Sequence, residues 1–170
     1  MIETAAPSPP PPQGPIPEAE LDPRLKGLLD YWRDKRSPGR LPARADIDPL
    51  ELRSLLGNIN LIEVVPQPPD SKGGPVTRRF RYRLFGTEFV FYHGGDLTGQ
   101  WIDQIGNTVY RQELAALYEH VVATGATPML SYDYILDSRR HRFQAVILPL
   151  ASNGQDIDMI LSSGLPVGIY

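Results

Sequence analysis

Apolar positions along the chain follow two different periods. Leu25, Leu28, Leu29 and Trp32 recur at helical spacing and predict one amphipathic helix over 22–36. Asp22 is placed to cap its free amides, and Pro23 suits the first helical position. Lys35 and Arg36 favour the negative helix end, and Pro38-Gly39 stops it. A second start signal follows at Asp48-Pro49. Glu51 stands three residues after the cap, as in a capping box, and Leu52, Leu55 and Leu56 give the apolar side of a short helix ended by Gly57-Asn58.

From there the period shortens. Residues 59–65 form a β-branched, apolar run bounded by Asn58 and Pro66, which predicts a strand. Over 79–85 the alternation is clean. Phe80, Tyr82 and Leu84 point one way; Arg79, Arg81 and Arg83 point the other. Pro68-Pro69 and Gly73-Gly74 mark an exposed loop between the two strands. The stretch 86–104 is irregular, with a helical turn over 88–92. The longest helix spans 107–124, with Tyr110, Leu114, Leu117, Tyr118 and Val121 on one face and Gly125 as terminator. Three strands, over 128–136, 141–150 and 157–166, complete the pattern. Turns at Ser138-Arg139-Arg140 and Ser152-Asn153-Gly154 make them consecutive antiparallel hairpins.

At 170 residues the chain suits one domain and a tail. Residues 1–20 are proline-rich, centred on Pro9-Pro10-Pro11-Pro12, and predict a disordered tail; the functional reading of such a segment is a ligand for a proline-recognising partner. The division is therefore 1–20 tail, 21–57 N-terminal helical flank and 58–170 main domain. A formal net charge of −3 gives no general reason to expect nucleic acid or an anionic membrane as partner. Cysteine is absent, which excludes disulfides, thiolate nucleophiles and cysteine-ligated zinc. No apolar run approaches the roughly 20 residues of a membrane span. The acidic N-terminus is no signal peptide, so a cytoplasmic location is expected, and the lack of cysteine fits it.

The element order is two strands, short helices, one long helix and three strands. Within it stand Tyr31-Trp32, Leu41-Pro42-Ala43-Arg44-Ala45-Asp46-Ile47-Asp48-Pro49, Phe80-Arg81-Tyr82-Arg83-Leu84-Phe85-Gly86-Thr87 and Asp96-Leu97-Thr98-Gly99. As an ordered set these resemble a family of small stand-alone PAS-type proteins found in alphaproteobacteria, over 21–165. The resemblance implies an α+β fold: a PAS-like five-stranded antiparallel sheet with short helices and one long helix on one face, plus an N-terminal flanking helix. It also implies a sensory or regulatory role, and supplies neither a ligand nor catalytic residues. The chain ends about where its last strand ends, so the expected output is a partner protein, a homodimer or a change in the domain itself.

No cofactor is expected. The absence of cysteine excludes the cysteinyl-flavin adduct of light-sensing domains. His120 lies on the long helix, the element that carries the haem histidine in some PAS sensors, but about 100° of arc from the middle of the apolar stripe; it reads as a surface histidine, so haem is not expected. His93 and His141 fall in turns without ligand-spaced companions.

Tyr82, Phe89, Phe91, Tyr92, Trp101, Tyr110, Tyr132 and Tyr134 should largely meet between helix and sheet. From them comes a candidate small-molecule pocket of Tyr82, Arg83, Phe89, Tyr92, Trp101, Tyr110 and Tyr132, with Arg83 as a fork for a carboxylate or phosphate. The competing expectation is a filled core serving a protein–protein scaffold. Leu25, Leu28, Leu29 and Trp32 form a candidate dimer or partner helix, to be buried on the chain's own sheet or on a second copy, and a homodimer is expected. Arg44, Asp46 and Asp48 suggest a cap and an ion pair sooner than a metal site. Neither Gly94-Gly95-Asp96 nor Gly73-Gly74 continues into a cyclase signature or a phosphate loop. An enzyme is not expected; the remaining enzymatic alternative is a small isomerase or cyclase with Asp133 or Asp103 as base.

Overall fold

In the computed structural model, which describes residues 14–69 and 71–169, every long strand foreseen by the apolar pattern joins one antiparallel sheet. Strands β1 (Gly14–Pro15), β2 (Ile59–Gln67), β3 (Thr77–Leu84), β4 (Met129–Leu136), β5 (Arg139–Leu150) and β6 (Met159–Ile169) are arranged in the order β1-β4-β5-β6-β2-β3. The sheet thus has six strands, not five. The sixth comes from the expected tail: Gly14 and Pro15 pair with Ser131 and Leu130, and the Ile16 amide donates to the Met129 carbonyl at 2.9 Å. Past it, the 3-10 turn Glu18–Glu20 is tied to the next helix by Glu18, which accepts from Arg33 at 2.7 Å. The segment 14–20 is therefore part of the fold. Pro9-Pro10-Pro11-Pro12 lies outside the described residues.

Helices cover both faces of the sheet, where the sequence pattern suggested one covered face and a flank. Helix α1 (Pro23–Asp34) lies on β5 and β6. Helices α2 (Thr87–His93) and α3 (Thr108–Thr124), with the 3-10 turn Ile102–Gln104, pack on the opposite face. Strand parity sorts the core accordingly. Leu61, Val146, Leu148 and Leu161 pack with α1, while Ile62, Ile147 and Ile160 pack with α3. A strand covered on both sides needs apolar side chains at successive positions. This is why β5 runs through Ala145, Val146, Ile147 and Leu148 without a polar break.

The stripe Leu25, Leu28, Leu29 and Trp32 is buried within the chain itself, and Trp32 Nε1 donates to the Pro149 carbonyl at 2.9 Å. Of the two expected resting places, the chain's own sheet is the one occupied, so the stripe is not available as a dimer or partner surface. Asp22 caps the helix as anticipated, its carboxylate accepting from the Arg24 amide at 2.9 Å. The Gln144 side chain then clamps this end to β5: its oxygen accepts from the Asp22 amide at 2.6 Å and its nitrogen donates to the Glu20 carbonyl at 2.9 Å.

Other local expectations change in detail. The second helix is 3-10, spanning Pro49–Asn58 with a kink at Leu52. Asp48 caps it through the Leu50 amide at 2.9 Å, but Glu51 does not close a capping box. The Tyr31 hydroxyl stands between them, accepting from the Asp48 amide at 2.9 Å and donating to Glu51 at 2.6 Å. The anticipated Arg44–Asp46 ion pair is replaced by two bonds to backbone: Arg44 donates to the Ile47 carbonyl, and Asp46 accepts from the Ala43 amide. The β4–β5 turn is Asp137-Ser138, one residue before the expected place. Both residues have left-handed φ, +50° and +60°, the geometry of a two-residue hairpin.

Candidate functional site

The α2/α3 face of the sheet is hollow. Between it and the helices lies a cavity of about 80 Å³. Alternation along the strands aims the lining. Strand β4 contributes Leu130, Tyr132 and Tyr134, and β5 contributes Phe143, Ala145 and Ile147, each at every second position. Strand β3 adds Tyr82, and β2 and β6 add the small polar residues Asn60, Ser162 and Ser163. Helix α2 closes the space with Phe89, Tyr92 and His93, and α3 with Tyr110, Leu114, Leu117 and Tyr118.

The space persists because of what surrounds it. Tyr132 stacks on Phe143 with centroids 5.4 Å apart, and Tyr92 meets the same ring edge-on at 4.9 Å. Rings held against each other in this way are stiff plates with preferred geometries. They do not fold inward to fill the gap as a flexible chain would. At Gly164 a side chain is missing altogether: a Cβ there would lie 3.3 Å from the Phe89 ring and 3.4 Å from the Tyr132 hydroxyl.

Helix α2 is held close by two devices. At its start, the Gly86 amide donates to Asn60 Oδ1 at 2.8 Å. A Cβ on Gly86 would come within 2.5 Å of the Gly57 carbonyl oxygen, so only glycine allows this approach. At its end, the Tyr134 hydroxyl donates to the Tyr92 carbonyl at 2.6 Å, and Gly94, at φ +81°, terminates the helix.

Among the described residues, no Asp, Glu, Lys or Arg lines the cavity. Its tyrosines are neutral at physiological pH. Burial pushes Tyr110 up to about 12 and drives Tyr82, Tyr118 and Tyr132 upward for the same reason. The hydroxyls of Tyr82, Tyr110 and Tyr118 interact with one another, and Tyr118 also with Ser162. His93 is the exception to this pairing. Burial lowers its pKa, which favours the neutral imidazole, and its Nδ1 is buried without a hydrogen-bond partner.

Of the seven residues foreseen for a pocket, Tyr82, Phe89, Tyr92, Tyr110 and Tyr132 line the cavity; Arg83 and Trp101 do not. Arg83 is exposed on the opposite side of β3. Trp101 is carried to the outer edge of that strand, where the Tyr82 amide donates to the Gln100 carbonyl at 3.0 Å. There its ring forms a shelf under Arg79 at 4.0 Å and Arg81 at 5.0 Å, and the two guanidinium groups pair onward with Asp103 and Glu63. Phe91 is exposed on α2, and Tyr134 joins the lining. His93, Asn60, Phe143 and Ser162 were not foreseen. The signal for His93 was its spacing from Phe89, four residues along one helical turn, hidden by reading 93 as a turn residue.

The enzymatic alternative finds its carboxylates elsewhere. Asp133 accepts from Arg142 at 2.9 Å, and that guanidinium holds its carboxyl below the usual range; Asp103 is held low in the same way by Arg79. Neither lines the cavity. His120 is exposed, as its helical angle implied. Among the described residues no group of three His, Asp or Glu could hold a metal ion, and no helix is long and apolar enough to cross a membrane.

Sheet, covering helices and cavity together define one α+β domain. The chain belongs to the PAS domain family, whose model matches residues 22–163. Sensory and regulatory modules are what that family generally comprises. No curated protein and no solved structure matches the chain.

Proposed function

We propose that this PAS domain is a sensory module that binds a small molecule in the cavity between α2, α3 and the sheet, and reports occupancy to a partner protein. The observation that carries the reading is the hollow itself. Its described lining residues are rich in rings and include no Asp, Glu, Lys or Arg, and one of them, His93, has a buried Nδ1 that lacks a partner. Apolar walls with a few convergent polar groups are the usual make-up of a small-molecule site. A scaffold domain would have no use for such a space, since core voids forfeit packing energy.

A path for the signal crosses the sheet at β5. Phe143 and Ala145 face the cavity, and Gln144 between them clamps the start of α1 on the other face. A shift of β5 on binding moves that clamp and, with it, the helix. The occupant is small: about 80 Å³ does not admit a macrocycle or a flavin ring system.

Native mass spectrometry of the purified chain, joined to thermal melts across a panel of small metabolites, tests the reading. A co-purifying small molecule or a compound that raises Tm is expected. No bound mass and no shift across the panel would overturn it.

A further inference from the structure

Resting on the cavity reading above, we infer that the occupant is an uncharged single-ring aromatic molecule bearing a hydroxyl group, which hydrogen-bonds His93 Nδ1. The absence of any charged lining residue sets the first limit. An ionised ligand would lose its water and meet no counter-charge. Carboxylates, phosphates and ammonium compounds are therefore poor occupants.

Shape and size set the second. Nine of the nineteen described lining residues are Phe or Tyr, and rings offer edges and faces best matched by another ring. An apolar cavity on the order of 150 Å³ takes benzene, and one water needs roughly 10–15 Å³. At about 80 Å³ the cavity is roughly half that size and several times what one water needs, so it accepts one ring only as its walls yield, and no second ring.

His93 sets the third. It is the last residue of α2, with its ring edge-on to Phe85 at 5.8 Å. The hydroxyls of Tyr82, Tyr110 and Tyr118 already interact with one another and that of Tyr134 is held by the Tyr92 carbonyl, whereas His93 Nδ1 has no partner. In the neutral imidazole this nitrogen is an acceptor in one tautomer and a donor in the other. A hydroxyl both donates and accepts, so it satisfies either tautomer. A ketone or an ether satisfies only one.

Titration calorimetry of the full chain with phenol, toluene and benzoate tests this, alongside the 15N shift of the His93 imidazole. Phenol should bind about tenfold tighter than toluene, the worth of one good hydrogen bond. Benzoate should not bind detectably, and phenol should move the His93 Nδ1 resonance. His93→Phe should retain toluene binding and remove the preference for phenol. Equal affinity for phenol and toluene, with Nδ1 unmoved, would overturn the hydroxyl assignment and leave the cavity reading standing. Preference for benzoate would overturn the uncharged class. Failure of all three to bind would overturn the single-ring assignment, and the cavity reading would then stand or fall on the native mass spectrum and metabolite panel.

Discussion

The two faces of this sheet solve the same packing problem with different residues. Against α1 the core is made of Leu, Ile and Val around one indole, Trp32, all of them buried. Against α2 and α3 the sheet presents Tyr82, Tyr132, Tyr134 and Phe143, and it is hollow. Branched aliphatic chains interdigitate to near-crystalline density. Rings that also carry hydroxyls must satisfy orientation and hydrogen bonding together, and they leave space when both cannot be met. One face holds the domain together; the other is the one proposed to bind a ligand.

Removal of the indole from the aliphatic face should break this contrast most severely. Trp32→Ala deletes a fully buried side chain and the bond from Nε1 to the Pro149 carbonyl. A loss of about 3–5 kcal/mol by urea denaturation is expected, as for large aromatic truncations in other cores. A loss below about 1 kcal/mol would show that α1 is not the structural side.

Gly86→Ala should cost about 1–3 kcal/mol, the range for overpacking, because the new Cβ meets backbone oxygen at 2.5 Å and α2 must back away. Denaturant melts measure the cost. Widened access should show as faster hydrogen exchange in α2 than in α1; equal changes in both helices would contradict the assignment of α2 as the local wall.

Gly164→Ala sharpens the comparison from the other side. Its methyl enters the cavity beside Phe89 and Tyr132, where a few tenths of an ångström of movement accommodates it. Stability should change by less than about 1 kcal/mol, as for a methyl placed where space exists, while affinity for a cavity ligand falls. Unchanged binding by calorimetry would place the ligand elsewhere.

The smallest effect is that of pH on the hollow face. Burial lowers the pKa of His93 below its ordinary 6.5, so the unfolded chain takes up the proton first. The contribution of neutral His93 to stability is thus present above about 6.5 and is lost as pH falls toward the folded value. Urea melts at pH 7.5 and 5.5 should show wild type losing stability relative to His93→Phe at the lower pH. A constant difference would mean that His93 is not desolvated.

Much of this contrast was legible from the chain. The helical stripe Leu25, Leu28, Leu29 and Trp32 announces a buried helix but not the face it covers, and the aromatic set places Tyr82, Phe89, Tyr92, Tyr110 and Tyr132 together between helix and sheet. Arg83 was misplaced against its own pattern: alternation along β3 puts it on the side away from Tyr82. Trp101 was misplaced because an irregular segment carries no period, and only its backbone bonds to β3 fix which side of the edge it takes. Asn60 and Ser162 join the cavity through β2–β6 pairing, in which Asn60 lies opposite Ser162 across some hundred residues of chain, a separation that local pattern cannot bridge. The strand at Gly14–Pro15 was hidden by proline content, which argues against a ladder interior but permits an edge.

The most direct test is a methyl-resolved NMR titration of the chain with phenol. Methyl resonances of Leu114, Leu117, Leu130, Ala145 and Ile147 should shift together, while those of Leu25, Leu28, Leu29, Leu148 and Leu150 move far less. Shifts concentrated on the α1 face, or none on either face at millimolar phenol, would contradict the assignment of one face to stability and the other to sensing.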